Sequence, residues 1–198
     1  MLFFKDYKIK CLIKKIKAFQ QARQLNLVND DAIKKEIAAY YTLADIYISL
    51  QGRKKYPFAH EMSLECYRAA AILDDANAHF LLGNSLLEKA KFRDDLQNKS
   101  IFASHSNAKQ VKQLYEEALA YLQGGEQLKH IQAKRMLGLC YINGWGLASD
   151  KKRGFDLIVA SIDDENSWEQ VPQIFASLGL NKPEFYNALT QHKNKSST

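Results

Sequence analysis

The chain has 198 residues, 46% hydrophobic and 25% charged, with only three prolines and nine glycines and a formal charge of +6. That length can close one domain or a short array around a sizeable core, and the apolar fraction excludes a disordered chain. No run of 18 apolar residues occurs, and Lys5, Lys8 and Lys10 interrupt the first ten positions, so neither a transmembrane span nor a secretory signal is expected.

The charge has a location. Lys5, Lys8, Lys10, Lys14, Lys15, Lys17 and Arg23 stand against Asp6 alone, so residues 1–24 account for all of it and the rest of the chain is balanced. Cys11, Cys66 and Cys140 are widely spaced and odd in number, which reads as reduced, buried thiols rather than a disulfide framework. The compartment expected on these grounds is the cytoplasm, with later delivery elsewhere left open.

Residues 1–27 are expected to form a basic amphipathic N-terminal helix, spanning about 2–25. At about 100° per residue it carries two apolar stripes. One is Phe4, Tyr7, Cys11, Ala18 and Ala22; the other, roughly opposite, is Ile9, Leu12, Ile13, Ile16 and Phe19. Lysines separate them. Two readings stay open. The helix is wedged between two neighbours with its lysines reaching out to solvent, or Lys5, Lys8, Lys10, Lys14, Lys15 and Lys17 present a surface to an acidic partner or an anionic membrane.

Residues 28–198 read as a helical domain. Asn29-Asp30-Asp31 cap a helix over 31–50 with Ala39, Leu43, Ala44 and Tyr47 on one face. Gln51-Gly52 ends it, and Pro57 starts a partner helix holding Met62, Cys66, Tyr67, Ala70 and Ala71. A second pair opens at Ala78, with Leu82-Gly83 in register with Leu43-Ala44. Residues 93–109 are polar and aperiodic, with Ile101-Phe102 the only apolar pair, and read as a disordered insertion. Its partner helix follows over 108–123, with Val111, Leu114, Tyr115, Ala118 and Leu122, and Gly124-Gly125 is expected to stop it.

The third pair is the best defined. Ala133, Leu137 and Tyr141 share a face, Gly138 leaves room for a second helix, and Gly144-Trp145-Gly146 supplies a tight reversal. Asp150 is placed to cap the return helix, which buries Phe155, Leu157, Ile158 and Ile162. The Leu-small markers at 43–44, 82–83 and 137–138 are separated by 39 and then 55 residues, so the second interval contains extra chain. Residues 166–198 read as a degenerate terminal cap, with short helices over 167–178 and 183–192 and a bend or break at Pro172.

The order A-x-x-x-L-G-x-x-Y-x-x-G-x-G-L-x-x-D-x-x-R-G-x-x-L from Ala133 onward resembles the Sel-one-like repeat, a relative of the tetratricopeptide repeat. Ala133, Leu137, Gly138, Tyr141, Gly144, Gly146, Asp150 and Arg153 fall on that pattern. Gly154 stands where alanine is usual, Leu157 where an aromatic is usual, and Ser161-Ile162 where two alanines are usual. The resemblance implies an all-α superhelix of about three αα-hairpins with flanking helices. It also implies a non-catalytic protein-interaction scaffold or adaptor, often within a bacterial multiprotein complex.

Catalytic templates fail. His60-Glu61 opens H-E-x-x-H, but Leu64 occupies the place of the second histidine. The chain has no phosphate-binding glycine loop and no nucleophile elbow. His60, His79, His105, His130 and His192 are scattered. No enzyme activity, cofactor, metal or small-molecule substrate is expected, and aromatics are not interleaved with the basic residues as nucleic-acid binding would need.

In stacked hairpins the first helix of each pair lines the concave side. Relative to the small residue of each Leu-small marker, positions −6, −3, +1 and +5 then face the groove. The rule selects Tyr41, Asp45 and Ser49; Asn77, Phe80, Asn84 and Glu88; and Gln132, Arg135, Leu139 and Asn143. A peptide or helix of a protein partner is the expected ligand, with Asn84 and Arg135 as anchors. A groove left empty, or filled by the N-terminal helix or by residues 93–109, remains the alternative.

Overall fold

The computed structural model describes residues 2–101 and 103–196. Phe102, one of the predicted apolar pair, lies outside the described residues, as do residues 1, 197 and 198. The described residues hold nine α-helices and no strand: α1 (Leu2–Gln24), α2 (Asp30–Ile48), α3 (Ala59–Ala71), α4 (Ala76–Asn98), α5 (His105–Gln127), α6 (Ile131–Asn143), α7 (Lys151–Glu165), α8 (Val171–Ser177) and α9 (Pro183–Ser196).

Local chemistry sets where the helices begin. Asn29, Asp75, Ser104, His130 and Asp150 precede α2, α4, α5, α6 and α7, and each side chain accepts a hydrogen bond from the backbone N–H three residues on. Each bond satisfies one donor that a helix start otherwise leaves unpaired. Gly144 and Gly146 both adopt φ of 72°, the left-handed conformation that the tight reversal between α6 and α7 requires.

The helices pack as three antiparallel hairpins, α2–α3, α4–α5 and α6–α7, stacked in sequence. Leu82 and Leu122 are fully enclosed, as are Ala44, Ala70, Ala78 and Ala118, in a core that runs without a break from Ile9 on α1 to Cys140 on α6. A second core, from Leu139 to Leu189, seals the far end around Ile158, Ile162 and Phe175. Closest approach falls at Gly138. A Cβ there would lie 2.7 Å from the Gly154 carbonyl oxygen and 2.8 Å from Ile158, and a Cβ on Gly154 would lie 2.5 Å from the Gly138 carbonyl oxygen. Two glycines facing each other let the α6 and α7 backbones touch.

Residues 93–109 are not a disordered insertion. Residues 93–98 extend α4, 105–109 open α5, and only 99–104 connect them. Polar side chains hold this extension. Asn107 is 8% exposed; its Oδ1 accepts from Arg93 at 3.2 Å and its Nδ2 donates to Gln97 at 3.0 Å. Tyr115 donates to Asp94 at 3.3 Å. The extra chain in the 55-residue interval therefore lengthens α4 and α5, of 23 residues each, rather than forming a long loop.

Gly124-Gly125 likewise does not stop α5, which continues to Gln127. A Cβ at Gly124 would meet the His79 ring at 2.6 Å, and one at Gly125 would meet Ala133 at 2.8 Å. These glycines admit α4 and α6 to the side of α5 rather than ending it. At Pro172 the chain does break: a 3-10 turn (Trp168–Gln170) precedes α8, and the proline takes its second position, where no intrahelical N–H is required.

α1 packs through one face. Ile9 and Ile16 are buried and Leu12 and Ile13 lie against the core, whereas Phe4 and Tyr7 are each 63% exposed. Arg23 reaches the fully buried Glu36 at 3.2 Å, and Gln20 donates to Tyr40 at 2.8 Å, fixing the helix on α2. The helix is not wedged between two neighbours. Cys11, expected to be buried, is exposed on the outer side, while Cys66 and Cys140 are buried.

Candidate functional site

The residues selected as groove-facing divide by register. At the −3 position stand Tyr41, Phe80 and Arg135; the first two reach into the unit that follows, and Arg135 reaches across its own hairpin to α7 and the turn after it. The Tyr41 hydroxyl donates to Asp75 Oδ1 at 2.5 Å and accepts from Asn77 at 3.0 Å. Asp75 is the cap of α4. Burial first, then the hydrogen bond to the Asp75 carboxylate, pushes the Tyr41 phenol above its ordinary value. Phe80 stacks on the ring of His130, the cap of α6, at 5.0 Å and 19°. Burial lowers the His130 pKa, with the Asp75 charge opposing. A neutral imidazole is what the cap needs, since Nδ1 accepts from the Ala133 N–H.

Arg135 completes the series. It is 6% exposed, and it donates to Ser161 at 3.1 Å, to Glu165 at 2.5 Å and to Ser167 at 3.3 Å. Ser167 is the residue before the 3-10 turn. Hydrogen bonds from Arg135 and then Ser167 hold the Glu165 carboxyl below the usual carboxylate value. Arg135 is thus committed to α7 and the turn after it, not free as a groove anchor. Leu139 is likewise enclosed in the second core.

The other selected positions stay accessible. Asp45, Asn77, Glu88, Gln132 and Asn143 are exposed, as is Ser49, and Asn84 is half-buried. Ser49 accepts from Lys5 at 2.8 Å, Glu88 pairs with Lys91 at 2.9 Å, and Asn143 donates to the Leu139 carbonyl at 2.9 Å. Asn84 is different. Its Oδ1 is buried and accepts no hydrogen bond among the described residues.

The surroundings of Asn84 follow from helical spacing. Phe80 lies one turn before it, Glu88 one turn after and Lys91 two turns after, so all four share a side of α4. Phe80 touches His130 at the start of α6, and the Lys91 ammonium lies 4.2 Å from the centre of the Trp145 ring beyond its end. Asn84 therefore sits in the seam between α4 and α6. Lys91 and Trp145 were not selected from the sequence. Trp145 was read only as the filler of a glycine turn, and an aromatic between two glycines is the one signal that could have drawn attention to it.

Chemical reactivity is not concentrated anywhere in this seam. Burial pushes the thiols of Cys66 and Cys140 up to about 12, so both are protonated at neutral pH. Among the described residues no group of three His, Cys, Asp or Glu side chains is placed to hold a metal ion. No described helix is long and apolar enough to cross a membrane.

No family model and no curated protein matches the chain. Among solved structures it is similar to the crystal structure of a Sel1 repeat protein from Oxalobacter formigenes, at 21% identity, covering 77% of this chain and 69% of that one, with a TM-score of 0.25. The description of the fold as stacked helical hairpins rests on the packing of this chain's own helices.

Proposed function

We propose that the protein is a non-catalytic scaffold that holds a peptide or helix of a protein partner along the side formed by α2, α4 and α6, with Asn84 as the polar anchor. The observation that carries this reading is the unmet Asn84 Oδ1. A buried acceptor without a donor costs about 1–3 kcal/mol. Turned outward on binding, the Asn84 side chain would meet a backbone N–H of an extended segment and remove that cost. Asp45 on α2, Asn77 and Glu88 on α4 and Gln132 on α6 supply exposed polar contacts on successive helices, and Trp145, against Lys91, offers an apolar surface two turns along α4 from Asn84.

Selection of peptides from a random display library, followed by titration of the best binder, tests the reading. Asn84→Ala should weaken the selected peptide at least tenfold, about 1.4 kcal/mol, with the melting temperature unchanged. Backbone amide shifts on peptide addition should centre on α4 and α6. Shifts centred on α3, α5 and α7, or an affinity indifferent to Asn84→Ala, would overturn it.

A further inference from the structure

A second surface is independent of the α4–α6 seam. The outer side of α1 carries Phe3 at 86% exposure, Phe4 and Tyr7 at 63% each, and exposed Cys11 and Ala18. Lys8 and Lys15 flank this stripe on one side and Lys10, Lys14 and Lys17 on the other, all exposed. Among the described residues none of these five forms an ion pair with the protein's own carboxylates; Lys8 and Lys15 lie instead over the rings of Phe4 and Phe19. The one acidic residue of the helix, Asp6, is turned to the body, where Lys55 and Tyr56 hold it. Beyond the far end of the helix, Leu25 and Leu27 are 68% and 74% exposed.

We propose that this face binds an anionic lipid bilayer, with α1 lying in the plane of the headgroups. Three features favour a membrane over an acidic protein. The exposed apolar groups stand at both ends of a 23-residue helix, about 35 Å apart at the α-helical rise, with cations between them, a footprint suited to an extended flat surface. All five cations are lysines. Lysine is depleted at protein–protein interfaces, where arginine is enriched, and its hydrated point charge suits diffuse attraction to a charged sheet. The aromatic side chains have the amphipathic form that settles at headgroup depth while flanking lysine stems reach to the phosphates.

Co-sedimentation of the full chain with vesicles tests the proposal. One set is phosphatidylcholine alone and the other contains about a third phosphatidylglycerol, each in about 0.1 M and about 0.5 M salt, where screening lengths differ roughly twofold. Binding is expected to the anionic vesicles only, and at least tenfold weaker at high salt. Lys8→Gln, Lys10→Gln, Lys14→Gln, Lys15→Gln and Lys17→Gln combined should abolish it with the melting temperature unchanged. Phe4→Ser with Tyr7→Ser should weaken it while leaving the salt dependence in place. Equal binding to neutral vesicles, no binding to anionic ones, or full binding by the five-lysine variant overturns the proposal. So does an acidic helical peptide that binds α1 as tightly as the vesicles do, which would assign the face to a protein.

Discussion

Hairpin α6–α7 and hairpin α4–α5 solve the same packing problem differently. The first is short, and its backbones touch at Gly138 and Gly154. Its polar side chains are fully used: Arg135 is consumed by Ser161, Glu165 and Ser167. The second is longer and looser in its commitments. A Cβ on Gly83 would meet the Leu122 side chain at 3.0 Å and the Ala118 carbonyl oxygen at 3.1 Å rather than a partner glycine, and Asn84 beside it has an acceptor that the fold does not use. The hairpin closest to the repeat pattern has spent its distinctive residues on stability. The hairpin that departs from the pattern is where a buried polar atom, Asn84 Oδ1, has no partner among the described residues.

The largest expected effect tests the tight contact. Gly138→Leu drives carbon atoms into a backbone carbonyl that cannot yield, and should cost about 3 kcal/mol in urea denaturation, at the upper end for overpacking. Gly83→Ala meets the buried Leu122 side chain at 3.0 Å and the Ala118 carbonyl oxygen at 3.1 Å, a few tenths of an ångström more room than at Gly138, and gains helix propensity, so its cost should stay at about 1 kcal/mol or less. Equal losses at the two glycines would erase the distinction between the hairpins.

Next comes Arg135. Arg135→Ala leaves Ser161 and Ser167 without their donor inside the second core and should cost about 2 kcal/mol, in the range for breaking a buried hydrogen-bond network. Arg135→Lys should recover only part of that, because an ammonium cannot reproduce the fork that spans three acceptors. A melting temperature unaffected by Arg135→Ala would return this residue to the groove.

A smaller effect, set by pH, falls where the two hairpins meet. His130 caps α6 as a neutral acceptor, and burial lowers its pKa. As pH falls the unfolded chain therefore takes up the proton first. The stabilisation is complete above the ordinary imidazole value of about 6.5 and declines as pH drops through it toward the lower native value. Stability should therefore fall between pH 7.5 and 5.5, with the worth of a helix cap, about 1 kcal/mol, as its upper bound. His130→Asn, which caps without titrating in this range, should flatten that part of the profile. A wild-type profile already flat there would contradict the assignment.

The sequence was informative where a signal is local and steric. The caps Asn29 and Asp150 and the glycine reversal at Gly144 and Gly146 are each decided within a few residues, whereas which of the two stripes of α1 faces inward is not. It was uninformative where tertiary contact overrides local preference. The extensions of α4 and α5 are held by Asn107, Arg93, Gln97 and Asp94, polar residues that leave no hydrophobic period to detect. Gly124-Gly125 looks like a stop in one dimension and is a contact surface in three. The −3 rule chose Tyr41, Phe80 and Arg135 as groove residues because on their own helix they lie away from the Leu-small packing. Projection of a single helix carries no information about the helices packed beside it, where Tyr41 and Phe80 reach the caps of the next hairpin and Arg135 reaches α7.

The central claim is that the fold commits the −3 side chains and leaves Asn84 uncommitted. The most direct measurement is the unfolding free energy of the full chain carrying Asn84→Ala, from urea denaturation without any ligand. A residue kept for binding at the expense of stability should be replaceable without loss, since the substitution removes a buried acceptor that has no donor and adds a better helix former. The account predicts stability equal to or above that of the unsubstituted protein; a loss of about 1 kcal/mol or more, the worth of a satisfied hydrogen bond, would place Asn84 among the structural residues and contradict it.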